Sequence, residues 1–160
     1  MTTKVDHAEI KTGQLMTMTI AIAAFVAREP AWLVVLGAVF LATALYRPLS
    51  PFVIAYRWIV RPLGLMRSDY RLDNIQPHAF GQLIGAVTAA LCVALLYSGH
   101  PLAGWAIVGV LVVLTLISYL GWCIGCFFYY QLNRLGLRGF FRHAPTDRSV
   151  VPGQRPRRDE

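Results

Sequence analysis

Four apolar stretches punctuate this chain, and the charges fall between them rather than within them. Gly13 to Ala27 is bounded by Lys11 and Arg28, and Pro30 to Tyr46 by Glu29 and Arg47. Ala79 to Ser98 and Pro101 to Gly121 follow after a polar middle segment. About 20 helical residues are needed to cross a hydrocarbon core roughly 30 Å thick. The last two stretches meet that length, and the first two fall short of it. The tight Arg28-Glu29-Pro30 turn makes the short pair a helical hairpin, its deficit covered by snorkelling side chains or local thinning of the bilayer. The pattern predicts an all-α membrane protein with four transmembrane helices in two hairpins.

Each hairpin is followed by a segment with the pattern of an interfacial amphipathic helix. In Phe52 to Arg61, the residues Phe52, Tyr56, Ile59 and Val60 share a face with Leu63, while Arg57 and Arg61 share another, and Pro62 ends the run. Such a helix lies in the headgroup plane. Phe127 to Leu135 resembles it, with Phe127, Phe128, Tyr129 and Tyr130 clustered ahead of Asn133 and Arg134. The two halves echo each other further. His7-Ala8 precedes Gly13-Gln14-Leu15 as His78-Ala79 precedes Gly81-Gln82-Leu83, and Pro30 and Pro101 each open a second helix. Tyr56 and Tyr129 correspond as well, and Arg61-Pro62-Leu63-Gly64-Leu65 aligns with Asn133-Arg134-Leu135-Gly136-Leu137. The expectation is one membrane domain over residues 1–143, with repeat halves at about 5–66 and 76–138. Because two spans return the chain to its starting side, the halves are parallel repeats about an axis along the membrane normal. Residues 144–160, rich in Pro, Arg and Asp, are expected to form a disordered basic tail.

Composition agrees with a lipid environment: 56% of the 160 residues are hydrophobic and 14% are charged, where a soluble domain carries about 25% charged residues. The formal net charge of +7 comes from 13 Arg and 2 Lys against 8 acidic residues. These cations set orientation. The two tails and the central loop hold 14 of them, and the hairpin tips hold Arg28 alone. The positive-inside rule then places both termini in the cytoplasm of a bacterial inner membrane. No aromatic stacking platform accompanies the arginines, so nucleic-acid binding is not expected. The first apolar stretch lacks a small-x-small cleavage site and reads as a span, not a signal peptide. No acidic residue falls within the four stretches, which argues against ion-coupled transport. Gln14 and Gln82, one turn into their spans, need partners in the bundle and are expected to bond each other. Gly81 and Gly85 have the small-xxx-small spacing that lets helices approach closely in lipid.

The candidate chemistry is Cys123-Ile124-Gly125-Cys126. Residues three apart share a helix face, so the thiols can meet. Placed near a helix N-terminus, a thiol has its pKa lowered by the dipole and the free N–H groups, and thiolate is the nucleophile. The pair is therefore a candidate redox site, Cys123 the nucleophile and Cys126 the resolving thiol. Where it stands in the second half, the first half has Ser50-Pro51-Phe52-Val53, so the cysteines are not shared architecture. Two other readings stay open: the pair packs as small hydrophobes, as lone Cys92 is expected to, or it binds metal. Two thiolates need partners for a tetrahedral site, and His7 and His78, at the same mouth, would complete a set with Cys123 and Cys126. His100 lies on the opposite side. No cofactor is indicated by any motif.

The residues Gln76-Pro77-His78-Ala79-Phe80-Gly81-Gln82, Gly121-Trp122-Cys123-Ile124-Gly125-Cys126, Val5-Asp6-His7 and Leu49-Ser50-Pro51-Phe52 resemble the bacterial domain-of-unknown-function 4395 (DUF4395) integral membrane family. The similarity runs from about residue 5 to 137. Ala79 stands where that family often has Arg. The resemblance implies a membrane protein without an established activity, associated with thioredoxin-like and sulfur-transfer proteins. Two functions are therefore expected: a cytoplasm-facing thiol redox or sulfur-relay protein whose partners are the bilayer and a thioredoxin-like or sulfurtransferase protein, or a non-enzymatic membrane scaffold or accessory subunit.

Overall fold

In the computed structural model, which describes residues 3–135 and 153–154, the apolar stretches fold as helices, and the first and third of these start earlier than hydropathy alone suggests. The chain runs β1 (Thr3–Asp6), α1 (His7–Ala27), α2 (Ala31–Leu45), α3 (Pro51–Ala55, continued by a π-helical turn Tyr56–Val60), β2 (Tyr70–Asp73), α4 (Ile75–Tyr97), α5 (Pro101–Leu120) and α6 (Ile124–Arg134). Asp6 caps α1 by accepting from Ala8 N–H, and Asn74 caps α4 by accepting from Gln76 N–H. Each short side chain satisfies a donor that a helix N-terminus leaves free. Thus α1 begins at His7 rather than near Gly13, and α4 at Ile75 rather than Ala79, so both histidines lie on helices.

α1, α4 and α5 are long and apolar enough to cross a membrane, and α2 is a shorter apolar helix. Large apolar side chains such as Ile22, Val26, Val87, Leu91, Val110 and Val113 are exposed on them. In water so much exposed apolar surface would be a severe liability, whereas lipid solvates it. This is the surface of a membrane protein. The core lies between the helices and contains Leu33, Leu36, Phe40, Cys92 and Val108. Cys92 packs there, fully buried, as expected. Gly85 on α4 leaves room for Phe40 of α2, since a Cβ built there would lie 2.9 Å from the Phe40 ring. Arg28, the tip cation, sits over Phe25 and Trp105 and joins the two hairpin tips.

One element is absent from the hydropathy pattern. β1 and β2 pair antiparallel, Thr3 opposite Asp73 and Asp6 opposite Tyr70. This two-stranded ribbon ties the starts of α1 and α4 together, with His7 N–H donating to the Asp69 carbonyl at 2.8 Å. The expected Gln14–Gln82 bond is not made: Gln14 Nε2 donates to Ser118 Oγ at 2.7 Å, while the Gln82 carbonyl is buried with no partner among the described residues.

Candidate functional site

Four pieces of backbone converge where the ribbon meets the helix starts. The ribbon delivers Asp73 from the end of β2 and His7 from the start of α1. Five residues beyond Asp73, His78 stands in the first turns of α4. Cys123 comes from the turn between α5 and α6, and Cys126 from the first turn of α6. Gly121 ends α5 with φ +120, a left-handed conformation that glycine adopts without a Cβ penalty, and α6 starts three residues later. Its first turn comes close to α4 because neither helix has a side chain at the crossing. A Cβ on Gly125 would lie 2.8 Å from the Cα of Gly81.

Cys123 immediately precedes α6 and occupies its cap position. Its Sγ accepts the backbone N–H of Cys126 at 3.2 Å, the thiol equivalent of a serine N-cap. The hydrogen bond with Cys126 draws the Cys123 thiol down to about 6. Burial opposes that shift, and His78 adds to it when its ring is protonated. Cys126 is buried and moves the opposite way: its bond to Cys123 and its desolvation hold the thiol protonated. The environment therefore shifts two identical side chains in opposite directions, an arrangement that separates roles at functional sites.

His78 connects this pair to a carboxylate. Its Nδ1 lies 3.8 Å from Cys126 Sγ, and its Nε2 lies 2.9 Å from Asp73 Oδ2. Although burial alone would raise the Asp73 carboxyl, the His7 and His78 rings against it, and the charge His78 carries when protonated, hold it well below the usual carboxylate range. An ionised carboxylate only accepts, so Nε2 of His78 carries the proton and the Nδ1 lone pair faces Cys126. His7 Nε2 is 3.1 Å from the same Asp73 oxygen yet off the line of a hydrogen bond, and has no hydrogen-bond partner among the described residues. The two imidazoles meet edge to face at 6.1 Å.

A cavity of about 30 Å³ opens here, lined by His7, Asp73, His78, Ser118, Cys123 and Cys126 among others. A buried water needs roughly 10–15 Å³ of such space, so one or two waters or a small ligand group fit. Gly153 and Gln154, the described residues of the stretch expected to be disordered, close one wall. The Gly153 carbonyl accepts from Cys123 N–H at 2.7 Å, and Gln154 bridges to Trp122 in antiparallel fashion.

Of the four residues the sequence suggested, Cys123, Cys126 and His78 come together, their ligand atoms all within 4.8 Å of one another. His7 lines the same cavity, turned toward Asp73. Sequence reasoning missed Asp73 and the Gly153–Gln154 wall. Asp73 was signalled by the repeat, in which Asp6 and Asp73 each stand just ahead of a helix bearing a histidine near its start. The tail contact had no local signal.

Residues 5–134 match the family model described as Domain of unknown function (DUF4395). No curated protein and no solved structure matches the chain.

Proposed function

The chain belongs to the DUF4395 family, and for this member we propose a membrane-held dithiol that passes two electrons to a partner disulfide on the cytoplasmic side. The observation that carries the reading is the placement of the two thiols: Cys123 Sγ caps α6 by accepting the Cys126 N–H, and buried Cys126 has its Sγ 3.8 Å from the His78 imidazole. In the first step the Cys123 thiolate attacks one sulfur of the partner disulfide. A mixed disulfide forms and one partner thiolate leaves. In the second step the Cys126 proton moves to His78 Nδ1, and the resulting thiolate attacks Cys123 Sγ. The Cys123–Cys126 disulfide forms, the second partner sulfur leaves, and it takes the proton from His78. Asp73, on Nε2, holds the ring in the required tautomer and stabilises the imidazolium between the steps. A dithiol donor in the cytoplasm returns the pair to its reduced form.

The membrane setting is part of this reading. Four spans follow if α2, with 15 residues and a rise of about 22 Å, crosses with its ends snorkelling or the bilayer thinned. The order strand, long helix, apolar helix, short amphipathic helix occurs twice, which supports a parallel duplication, as does the equivalence of Ser50 and Cys123 as the residues preceding α3 and α6. Lys and Arg crowd toward the ends that carry the site, so that end faces the cytoplasm.

The test is trapping in inverted vesicles with a small aromatic disulfide as probe. Cys126→Ala is expected to accumulate the mixed disulfide on Cys123, whereas wild type releases it. A persistent adduct in Cys123→Ser would refute the assignment of the nucleophile.

A further inference from the structure

The same cluster has the composition of a soft-metal site with one open position. Thiolate and imidazole suit d10 cations such as Zn2+, and Cys123 Sγ, Cys126 Sγ and a His78 ring nitrogen already lie within 4.8 Å of each other. Around tetrahedral zinc, bond lengths of about 2.3 Å to sulfur and 2.0–2.1 Å to nitrogen put neighbouring ligand atoms about 3.5–3.8 Å apart. Cys126 Sγ and His78 Nδ1 stand at 3.8 Å, so the cluster needs at most about an ångström of closure to meet that geometry. One further feature points to a ligand. His78 is held from behind by Asp73 at 2.9 Å, the carboxylate–histidine arrangement that orients metal-bound imidazoles. The cavity in front of the thiols is also lined by the buried His7 ring, whose Nε2 stands 3.1 Å from the same Asp73 oxygen.

The geometry points to a three-ligand site in which Cys123, Cys126 and His78 hold one Zn2+-class cation, with the fourth position open to the cavity. Closed structural sites use four protein ligands, while sites that exchange or activate a ligand keep a position free. Here the free position accepts water or an incoming thiolate. His7 lies beyond the three ligands and keeps its contact with Asp73. Because both thiolates bind the ion, their oxidation to a disulfide removes two of its three ligands, so the ion and the disulfide exclude each other. The ion assignment does not rest on the exchange chemistry, only on the same two side chains.

The experiment uses the full chain in detergent, reduced, chelator-treated and desalted, titrated with Co2+. The expected result is one Co2+ per chain, with the intense near-ultraviolet thiolate band and visible bands of tetrahedral cobalt, bleached by Zn2+. Cys123→Ser, Cys126→Ser and His78→Ala abolish the spectrum, and His7→Asn retains it. Asp73→Asn weakens binding about 10–100-fold, the usual effect of losing a carboxylate behind a ligating histidine. Circular dichroism and gel filtration report whether each variant is folded. In the unmodified protein, protection of both cysteines from maleimide by Zn2+ reads the same site without any substitution. No cobalt spectrum in the reduced wild type, a spectrum that survives loss of both cysteines, or thiols left unprotected by Zn2+ overturns the site. Metal binding without mixed-disulfide formation would sink the exchange reading alone, and the converse would sink this one alone.

Discussion

Adding one methyl group at Gly125 tests whether the crossing of α6 over α4 positions the chemistry. A Cβ there would stand 2.8 Å from Gly81 Cα and 3.5 Å from Gly81 N. Carbon atoms prefer about 3.5–4.0 Å, and the obstacle is backbone, which cannot rotate away. The start of α6 must therefore retreat by about 1 Å, and overpacking of this kind costs about 1–3 kcal/mol. Alanine's better helix propensity returns up to about 1 kcal/mol, so the clash prevails. The 3.8 Å approach of Cys126 to His78 would lengthen correspondingly, and a misplacement of that size can slow a step about 100-fold. The reverse substitution is the control. A Cβ on Gly81 would meet Gly125 Cα at 3.9 Å, an ordinary contact. With the aromatic disulfide probe, Gly125→Ala should still form the mixed disulfide on Cys123 but resolve it about 10- to 100-fold more slowly. Gly81→Ala should resolve it near the wild-type rate. Equal behaviour of the two alanine variants would refute the argument, because the asymmetry comes from the backbone geometry alone.

Other outcomes follow from the site. In reduced, chelator-treated protein, iodoacetamide should alkylate Cys123 with a rate that rises through pH about 6 and is on its plateau by pH 8. The depressed thiol is already thiolate where an ordinary cysteine, near 8.5, is still protonated; a midpoint above 8 would contradict the capping geometry. Gly153→Ala adds a Cβ 3.0 Å from Cys123 O and 3.1 Å from Phe127 Cβ, at φ +86, so the tail wall should lift and Cys123 alkylation should accelerate at fixed pH. Unchanged alkylation would mean that the wall does not limit access. Tyr56→Phe removes the 2.7 Å bond to buried Asp6 and should destabilise the fold by about 1–3 kcal/mol, measured as a lower detergent-unfolding midpoint.

The apolar helices were legible because lipid offers the backbone no hydrogen bonds, so every crossing segment must be a continuous run. Their starts were harder to see. Asp6 and Asn74 extend α1 and α4 by a local capping bond that hydropathy does not register. The β1–β2 ribbon could not be seen in four-residue strands 67 positions apart, Thr3–Asp6 and Tyr70–Asp73, whose pairing is decided by the packing of the hairpins above them. The C-x-x-C spacing named the two thiols, and the repeat placed His78 at the same mouth. Asp73 went unnoticed because an Asp before a helix reads first as a cap. Gln14 found the Ser118 hydroxyl on α5 instead of Gln82, a choice between polar partners that a single-helix reading cannot make. The pairing of Gly153–Gln154 with Trp122–Cys123 depends on tertiary approach alone.

Ser50 and Cys123 occupy the same slot ahead of α3 and α6, but their side chains are employed differently. Ser50 Oγ is 2.7 Å from Thr43 Oγ1 and makes no bond to its own helix, while Cys123 Sγ turns inward to Cys126 N–H. The crossings differ in step: Gly13 faces the Phe52 ring in one half, and Gly81 faces bare Gly125 in the other. On the proposed reading, reactivity depends on clearance and not on sulfur alone. Cysteines placed at Ser50 and Val53 would flank the Phe52 ring packed on Gly13 instead of a bare glycine crossing. A designer wishing to move this chemistry to another helical hairpin would have to carry the pair of glycines along with the cysteines.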